Sequence, residues 1–342
     1  MNDWENRIRT VRFERPDWIP MTFHINDACW NHFDRNALMD LMENHPLLFP
    51  GFDRSQRIFP PVYDLDARSD TPYTDPWGCV WETMEDGITG SVTRHPLADW
   101  EDFPGYVSPD PEQTTGMFPV NWEQLRSSDL KRAELPHGHT FLRLLYIRGY
   151  ENLVLDMAMG EPRLGELLER VEGFNAQVVR RFIEAGAKWI GYPEDLGMQR
   201  GPMLSPSHFR SYIRPVYERL MQPARDAGCI VHMHSDGDIR DLANDLLAGG
   251  VDALNLQDLV NGLDWIKENL SGKVCVDLDI DRQSVTRFGS PKDIDTLIRR
   301  EVESLGCREG GLMMIYGLYP GVPLENAAAL MNAMEKYMGY YS

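Results

Sequence analysis

Cysteine, basic charge and long apolar runs are all scarce in this chain of 342 residues. The five cysteines are scattered and form no C-x-x-C pair, so we expect free thiols in a reducing, cytoplasmic compartment. Lysine and arginine total 34 against 53 acidic residues, and the resulting net charge of −19 disfavours binding to nucleic acid or to anionic membranes. The sequence contains no run of about 18 apolar residues, and its first residues lack the apolar core of a signal peptide.

Several catalytic signatures are missing as well. No glycine-rich GxGxxG or GxxxxGK[ST] turn follows an apolar strand, which disfavours nucleotide binding. The GxSxG turn of serine hydrolases is not present, and Cys229 and Cys275 lie in apolar segments where cysteine is usually an inert core residue. Nucleophilic catalysis therefore finds little support in the sequence.

The two parts of the chain differ in composition. Residues 1 to about 135 are rich in Pro, Trp and Asp, which indicates short strands and loops, with a hairpin turning at Asp86-Gly87. From about residue 140 the chain alternates strand and helix, beginning with the apolar run 141–147. The later predicted strands are 189–192, 230–234, 253–256, 274–278 and 312–316, with helices between them.

Repeated βα units with continuous apolar strands predict a parallel sheet covered by helices on both faces. About six units fall after residue 140, and residues 19–24 offer another strand near the N-terminus. This number favours a (β/α)8 TIM barrel over an open, doubly wound sheet. We therefore predict an α/β fold in a single domain over residues 1–342. Residues 1–135 would form an N-terminal extension of short strands and helices that includes the first strand, and residues 136–342 the regular βα units.

Polar side chains follow the ends of five predicted strands. Active sites of (β/α)8 barrels lie at the carboxyl ends of the strands. A helix cap would explain any single polar residue there, but five strand ends in succession indicate a functional site. The candidates are Glu194, Asp195, Gln199 and Tyr316 as catalytic residues, and Gln257, Asp279 and Arg282 as substrate-binding residues.

The segment His232-Met-His234-Ser-Asp236 ends one of these strands. Residues two apart in an extended chain point the same way, so two imidazoles and a carboxylate could bind zinc. Alternatively, His232 packs in the core while Asp236 or Asp238 caps the next helix. Glu194 and Asp195 are adjacent and face different directions, so only one of them is expected to enter the pocket. Spacing does not fix which of them acts as a general base, and the alternative is a helix cap or a salt bridge with Arg200.

The run GYPEDLGMQRGPM, followed by VHMHSDGD, resembles the uroporphyrinogen decarboxylase superfamily. The shared features are a strand with [DE]DLG and Gln, a strand ending in H-S-x-G, and a closing P-x-x-P-x-E-N segment, here residues 320–326. The start of the chain, RTVRFERPDWIP, is similar too. The resemblance covers essentially the whole chain and implies a (β/α)8 barrel with an N-terminal extension, often dimeric.

The resemblance implies one of two chemistries. Decarboxylases of the superfamily are cofactor-free and carry a basic RQAGRY-like segment near the N-terminus, whereas the matching residues 23–29 of this chain contain no arginine. The other branch exchanges methyl groups with corrinoid proteins and uses zinc held by His-x-Cys and a later Cys. Carried across, these positions fall on His234 and Asp236 and near Tyr316, so both thiolates are replaced by oxygen groups.

An oxygen-rich ligand set implies a harder, more Lewis-acidic metal, suited to polarising a bound oxygen. The expected function is therefore a demethylating methyltransferase that moves a methyl group from a small O- or N-methyl donor to a corrinoid protein. Zinc at His234 and Asp236 would assist, Glu194 or Asp195 would handle the proton, and His232 would be structural. The alternatives are a cofactor-free decarboxylase and a non-catalytic barrel that binds a small ligand.

Overall fold

The structure, a computed structural model, describes residues 2–127 and 130–342. Its strands are β1 Met21–Ile25, β2 Tyr73–Thr74, β3 Val80–Glu82, β4 Ser91–Arg94, β5 Arg132–Glu134, β6 Trp189–Asp195, β7 Gly197–Met198, β8 Gly201–Pro202, β9 Ile230–Asp236, β10 Ala253–Gln257, β11 Cys275–Asp279 and β12 Leu312–Leu318. Its α-helices are α1 Asp3–Val11, α2 Cys29–His32, α3 Arg35–Asn44, α4 Trp122–Arg126, α5 Phe141–Arg148, α6 Tyr150–Met159, α7 Pro162–Glu184, α8 Pro206–His208, α9 Arg214–Asp226, α10 Ala243–Ala248, α11 Asp258–Asn261, α12 Leu263–Asn269, α13 Val285–Phe288, α14 Pro291–Leu305 and α15 Leu324–Met338. Within these described ranges, no helix has both the length and the apolar character needed to cross a membrane.

Seven strands form the main sheet, in the order β1-β12-β11-β10-β9-β6-β5. Strands β1 and β11 pair in parallel with β12, and strands β5 and β9 pair in parallel with β6. Most residues of β6, β9, β10 and β11 are buried, as expected for parallel strands that carry helices on both faces. The predicted α/β fold class is confirmed.

The chain divides into two compact units. The first unit consists of the N-terminal residues to Thr71, Thr83–Gly90 and Leu256–Ser342, and contains β1, β11, β12 and the packed helices α14 and α15. The second unit consists of Pro72–Glu82 and Ser91–Asn255, and contains β5, β6, β9 and the helices α5 to α9.

Capping and turn residues mark the ends of several elements. Pro162 opens α7, and Ser290 forms a capping box with Asp293 at the start of α14. Strands β3 and β4 pair antiparallel on either side of Asp86-Gly87, and Gly87 has a φ of +88°. The apolar pattern of residues 239–247 predicts a helix over that range, whereas α10 begins only at Ala243.

The apolar run 141–147 is helix α5, so its interpretation as a strand is wrong. Strand β5 precedes it instead. Six of the eight residues of α5 are buried, including Leu142, Leu144 and Ile147. A helix buried on most sides lacks the polar face that would reveal a period of 3.6 residues, and its sequence is then difficult to distinguish from that of a buried strand.

A pair of buried carboxyl groups lies in the first unit. Glu301 on α14 is fully buried, neither of its carboxyl oxygens has a hydrogen-bond partner among the described residues, and the charge of Asp258 at the start of α11 acts on it. A buried carboxyl group without donors is far more costly as a charged carboxylate than as a neutral acid. Burial, together with the charge of Asp258, raises the pKa of Glu301 well above its usual value. Glu301 is therefore the group that keeps a proton in the folded protein.

Replacing Glu301 by Gln is expected to stabilise the protein at alkaline pH. The unfolded chain loses the Glu301 proton near its ordinary pKa of 4.5, whereas the folded chain keeps it to higher pH. The free energy of unfolding of the wild type therefore falls as the pH rises above that value. Glutamine has a similar size and no proton to lose, so the stability of the variant relative to the wild type should increase between pH 4 and pH 8.

Thermal unfolding of Glu301→Gln and the wild type between pH 4 and pH 9 tests this expectation. Glu303→Gln, at an exposed position of the same helix, is the matched control and should follow the wild type. A difference between Glu301→Gln and the wild type that does not change with pH would contradict the assignment of the proton.

Candidate functional site

Two imidazoles and one carboxylate meet in the second unit. Asp195 is the last residue of β6, His234 lies on the neighbouring strand β9, and His137 precedes α5. The Nε2 atoms of His137 and His234 lie 3.4 Å and 3.6 Å from the same oxygen, Asp195 Oδ1. One ligand atom from each residue lies within 4.8 Å of the other two. We refer to these three residues as the His-Asp-His cluster.

The cluster is open to solvent. The side chains of His137, Asp195 and His234 are 48%, 30% and 22% exposed. Asp236 lies beside the cluster, with its Oδ1 3.9 Å from His234 Nε2, and its backbone N–H donates to Asp195 Oδ1. Solvent therefore reaches all three side chains of the cluster.

Hydrogen bonds and charges set the protonation of the cluster. Burial lowers the pKa of His234, but the nearby carboxylates of Asp195 and Asp236 outweigh it and raise this pKa to about 9. Burial acts to raise the pKa of Asp195, yet the neighbouring imidazoles of His137 and His234 hold it below its usual range. At neutral pH the cluster therefore contains a carboxylate that is balanced by a positive charge.

Asn255 orients the imidazole of His234. The Nδ1 atom of His234 forms a hydrogen bond with Oδ1 of Asn255. An amide oxygen can only accept, so Nδ1 carries the hydrogen and donates it. This arrangement leaves Nε2 as the atom that faces Asp195.

Glu194 is fully buried and does not face the cluster. Its Oε1 accepts from the backbone N–H of Thr140 at 2.7 Å, and its Oε2 accepts from the N–H of Phe141 and from the hydroxyl of Tyr217, both at 2.8 Å. Burial raises the pKa of Glu194 to about 7, against the lowering effect of these donors. The carboxylate thus satisfies free N–H groups at the start of α5. Of the two adjacent acids, Asp195 is the one that contacts the imidazoles.

Two glycines allow the chain after β6 to touch the chain after β9. A Cβ atom on Gly197 would lie 2.5 Å from the backbone carbon of Gly237, and one on Gly237 would lie 2.2 Å from that of Gly197. The N–H of Asp238 donates to the carbonyl oxygen of Met198 at 2.7 Å. These contacts explain the glycines of the D-L-G and S-D-G motifs as sites of close backbone approach. Gln199 lies exposed in the turn that follows, between β7 and β8.

The remaining predicted site residues belong to the first unit. Arg282 donates to Asp279 at 2.8 Å, at the end of β11, and Gln257 is a buried residue that ends β10. Tyr316 is fully buried, its hydroxyl donates to Thr286 at 3.1 Å, and burial raises its pKa to about 12. The catalytic role of Tyr316 and the substrate-binding roles of the other three stay predictions.

His137 is the residue of the cluster that the sequence interpretation missed. It belongs to a second His-x-His segment, His137-Gly-His139, shortly before the apolar run 141–147. His139 is buried beside Thr140, and burial lowers its pKa to about 3. His232 shares a His-x-His segment with His234 and is likewise buried, with its ring 5.3 Å from that of Trp189. The repeated His-x-His pattern was the available signal.

The fold and the cluster define a class: an α/β barrel protein with imidazole and carboxylate groups at the carboxyl ends of parallel strands. Residues 140–337 match the family model for uroporphyrinogen decarboxylase (URO-D). The chain belongs to this family, whose members are enzymes.

Two curated relatives are the uroporphyrinogen decarboxylases of two strains of Thermus thermophilus. They are 29% and 28% identical to this chain over 182 residues, which is 50% of this chain and 48% of each relative. The chain thus spans about half the length of the curated relatives it matches.

A solved structure, a methyltransferase from Methanosarcina mazei, resembles the chain over 98% of both lengths. Its TM-score is 0.66 and its sequence identity is 17%. This likeness confirms the predicted barrel fold class.

Proposed function

We propose that this protein is a methyltransferase that moves a methyl group from a small O- or N-methyl donor to a corrinoid protein, with zinc as a metal cofactor. The observation that carries the proposal is the His-Asp-His cluster, which contains the histidine that matches the zinc-binding position of the methyltransferase branch. The fold shared with the Methanosarcina mazei methyltransferase and the lack of arginine in residues 23–29 support it. The proposal includes a cytoplasmic homodimer, as the family resemblance and the free thiols imply.

The donor atoms of the cluster suit a zinc ion. Imidazole nitrogens and carboxylate oxygens are common zinc ligands, and catalytic sites keep one position open for a small molecule. His234 would be the anchoring ligand, and Asp195 and Asp236 are the carboxylates near its Nε2, at 3.6 Å and 3.9 Å. When bound, zinc would supply Lewis acidity toward the heteroatom of the methyl donor.

The residues of the cluster have defined tasks in this reaction. As the methyl group leaves, its bonding electron pair stays on the donor heteroatom, and positive charge in the cluster stabilises the developing negative charge. Asp195 contacts both imidazoles and so fixes their separation, while Asn255 orients the ring of His234. Glu194 holds the start of α5, and with it the segment that carries His137.

A cofactor-free decarboxylase is the second candidate. It is favoured by the two Thermus thermophilus relatives, which are uroporphyrinogen decarboxylases. Asp195 and the protonated His234 would then act as an acid–base pair on a carboxylic acid.

The test is a spectroscopic assay with free cob(I)alamin in place of the corrinoid protein and with methoxybenzenes and methylamines as donors. We expect donor-dependent formation of methylcobalamin that is lost in His234→Ala. His208→Ala, a histidine of the same unit outside the cluster, should keep the activity. Release of CO₂ from a porphyrinogen without methyl transfer would favour the second candidate. Turnover of neither substrate type would contradict both and leave a ligand-binding barrel.

A further inference from the structure

We propose that His137, Asp195 and His234 together form the metal-binding ligand set of this protein, with Asp236 and Tyr316 outside it. The set differs from the one that the family pattern implies, because His137 and Asp195 take the places of Asp236 and Tyr316. Its three residues come from three separate segments of the chain. The catalytic role of the bound metal rests on the proposed function, whereas the identity of the ligands does not.

The spacing of the ligand atoms is close to that of a tetrahedral zinc site. With bonds of about 2.0–2.1 Å to nitrogen and oxygen, two ligand atoms of such a site are about 3.4 Å apart. The distances from Asp195 Oδ1 to the two imidazoles, 3.4 Å and 3.6 Å, agree with this edge. All three atoms lie within 4.8 Å of one another, so a small rotation of the half-exposed His137 completes the triangle.

The neighbours of the cluster prepare two of its ligands. Because Asn255 accepts from Nδ1 of His234, a metal that displaces the Nε2 proton would meet the lone pair of Nε2 on the side of Asp195, as metal-binding histidines require. The N–H of Asp236 donates to Asp195 Oδ1 at 3.1 Å and so fixes that carboxylate. Asp236 thus acts on the cluster through its backbone and its charge.

The two other positions implied by the family pattern suit a metal less well. Asp236 Oδ1 is 3.9 Å from His234 Nε2. In the described part of the chain, the ligand atoms that all lie within 4.8 Å of one another belong to His137, Asp195 and His234, and Asp236 is not among them. The hydroxyl of the fully buried Tyr316 donates to Thr286 and would have to lose its proton to become a good ligand.

The ligand set points to a substrate class. It holds nitrogen and oxygen atoms and no thiolate, which makes the bound metal hard and favours oxygen ligands over sulfur. The class of donor that fits is therefore an oxygen-bound methyl group, such as a methyl ether of a phenol, whose oxygen would take the open fourth position.

The test is zinc binding to the chelator-treated full chain, measured by isothermal titration calorimetry and by metal analysis after dialysis. We expect one zinc per chain and an affinity that falls at least about 30-fold in each of His137→Ala, Asp195→Asn and His234→Ala. Asp236→Asn and Tyr316→Phe should change it by less than about fivefold, and His208→Ala should leave it unchanged. Because His137 is half exposed, its variant should fold normally, which circular dichroism checks.

Loss of zinc affinity in Asp236→Asn or Tyr316→Phe but not in His137→Ala would overturn the ligand set, as would a wild type that binds no stoichiometric zinc. Zinc bound through the three proposed residues in a protein that methylates no corrinoid would support the ligand set and overturn the proposed function.

Addition of a phenol should perturb the spectrum of the cobalt-substituted protein more than addition of a thiol, and the reverse order would overturn the substrate class.

Discussion

Glu194→Ala is expected to lower the free energy of unfolding by about 4 kcal/mol. Glu194 is fully buried, and its carboxylate is the acceptor for the N–H groups of Thr140 and Phe141 and for the hydroxyl of Tyr217. Removing it leaves three buried donors without this acceptor, and each lost partner costs about 1–3 kcal/mol. Glu194→Gln keeps one accepting oxygen but places an NH2 group against donors, so we expect the free energy of unfolding to fall by about 2 kcal/mol.

Urea unfolding at neutral pH measures both losses. Glu151→Ala, at an exposed position of α6, is the control and should stay within about 0.5 kcal/mol of the wild type. Since α5 begins at the bonds to Glu194, the folded Glu194→Gln protein should also bind zinc more weakly through a displaced His137. A stability within about 1 kcal/mol of wild type for Glu194→Ala would show that this carboxylate does not hold α5.

Gly237→Ala is expected to cost about 3 kcal/mol of stability. The residue has a φ of +81°, and its new Cβ would lie 2.2 Å from the backbone carbon of Gly197. The left-handed conformation costs an alanine about 1 kcal/mol, and forcing two backbones apart adds about 1–3 kcal/mol. Because this contact joins the segments that follow Asp195 and His234, the zinc affinity of the variant should fall as well.

Gly228→Ala is the matched control for this prediction. Gly228 has a similar φ of +72°, but a Cβ atom there meets nothing within 4 Å. Gly228→Ala should lower the free energy of unfolding only by the cost of the left-handed backbone, about 1 kcal/mol. Equal losses in the two variants, measured by urea unfolding, would mean that the close approach of the backbones contributes nothing.

The strands of the regular βα units could be predicted because buried parallel strands appear as continuous apolar runs. Strands β6, β9 and β12 extend the predicted segments by two or three residues at their carboxyl ends. The polar residues there, Asp195 and Asp236 among them, are thus part of the strands rather than of the following loops. Hydrophobicity alone does not extend a predicted strand into polar residues that pair with a neighbouring strand.

The candidate site could be predicted only in part. Alternation along β6 required that Glu194 and Asp195 face different ways, but the choice between them depends on the position of α5, which the sequence pattern did not identify as a helix. His137 could not be assigned for the same reason, because its contact with Asp195 links segments that are 58 residues apart in the sequence. Such contacts depend on tertiary packing and not on local periodicity.

The most direct test of a metal centre at the His-Asp-His cluster is the zinc K-edge X-ray absorption spectrum of the zinc-loaded wild type. We predict only nitrogen and oxygen neighbours at about 2.0–2.1 Å, with the outer-shell scattering of two imidazole rings. A spectrum with sulfur neighbours, or one without imidazole scattering, would contradict this account.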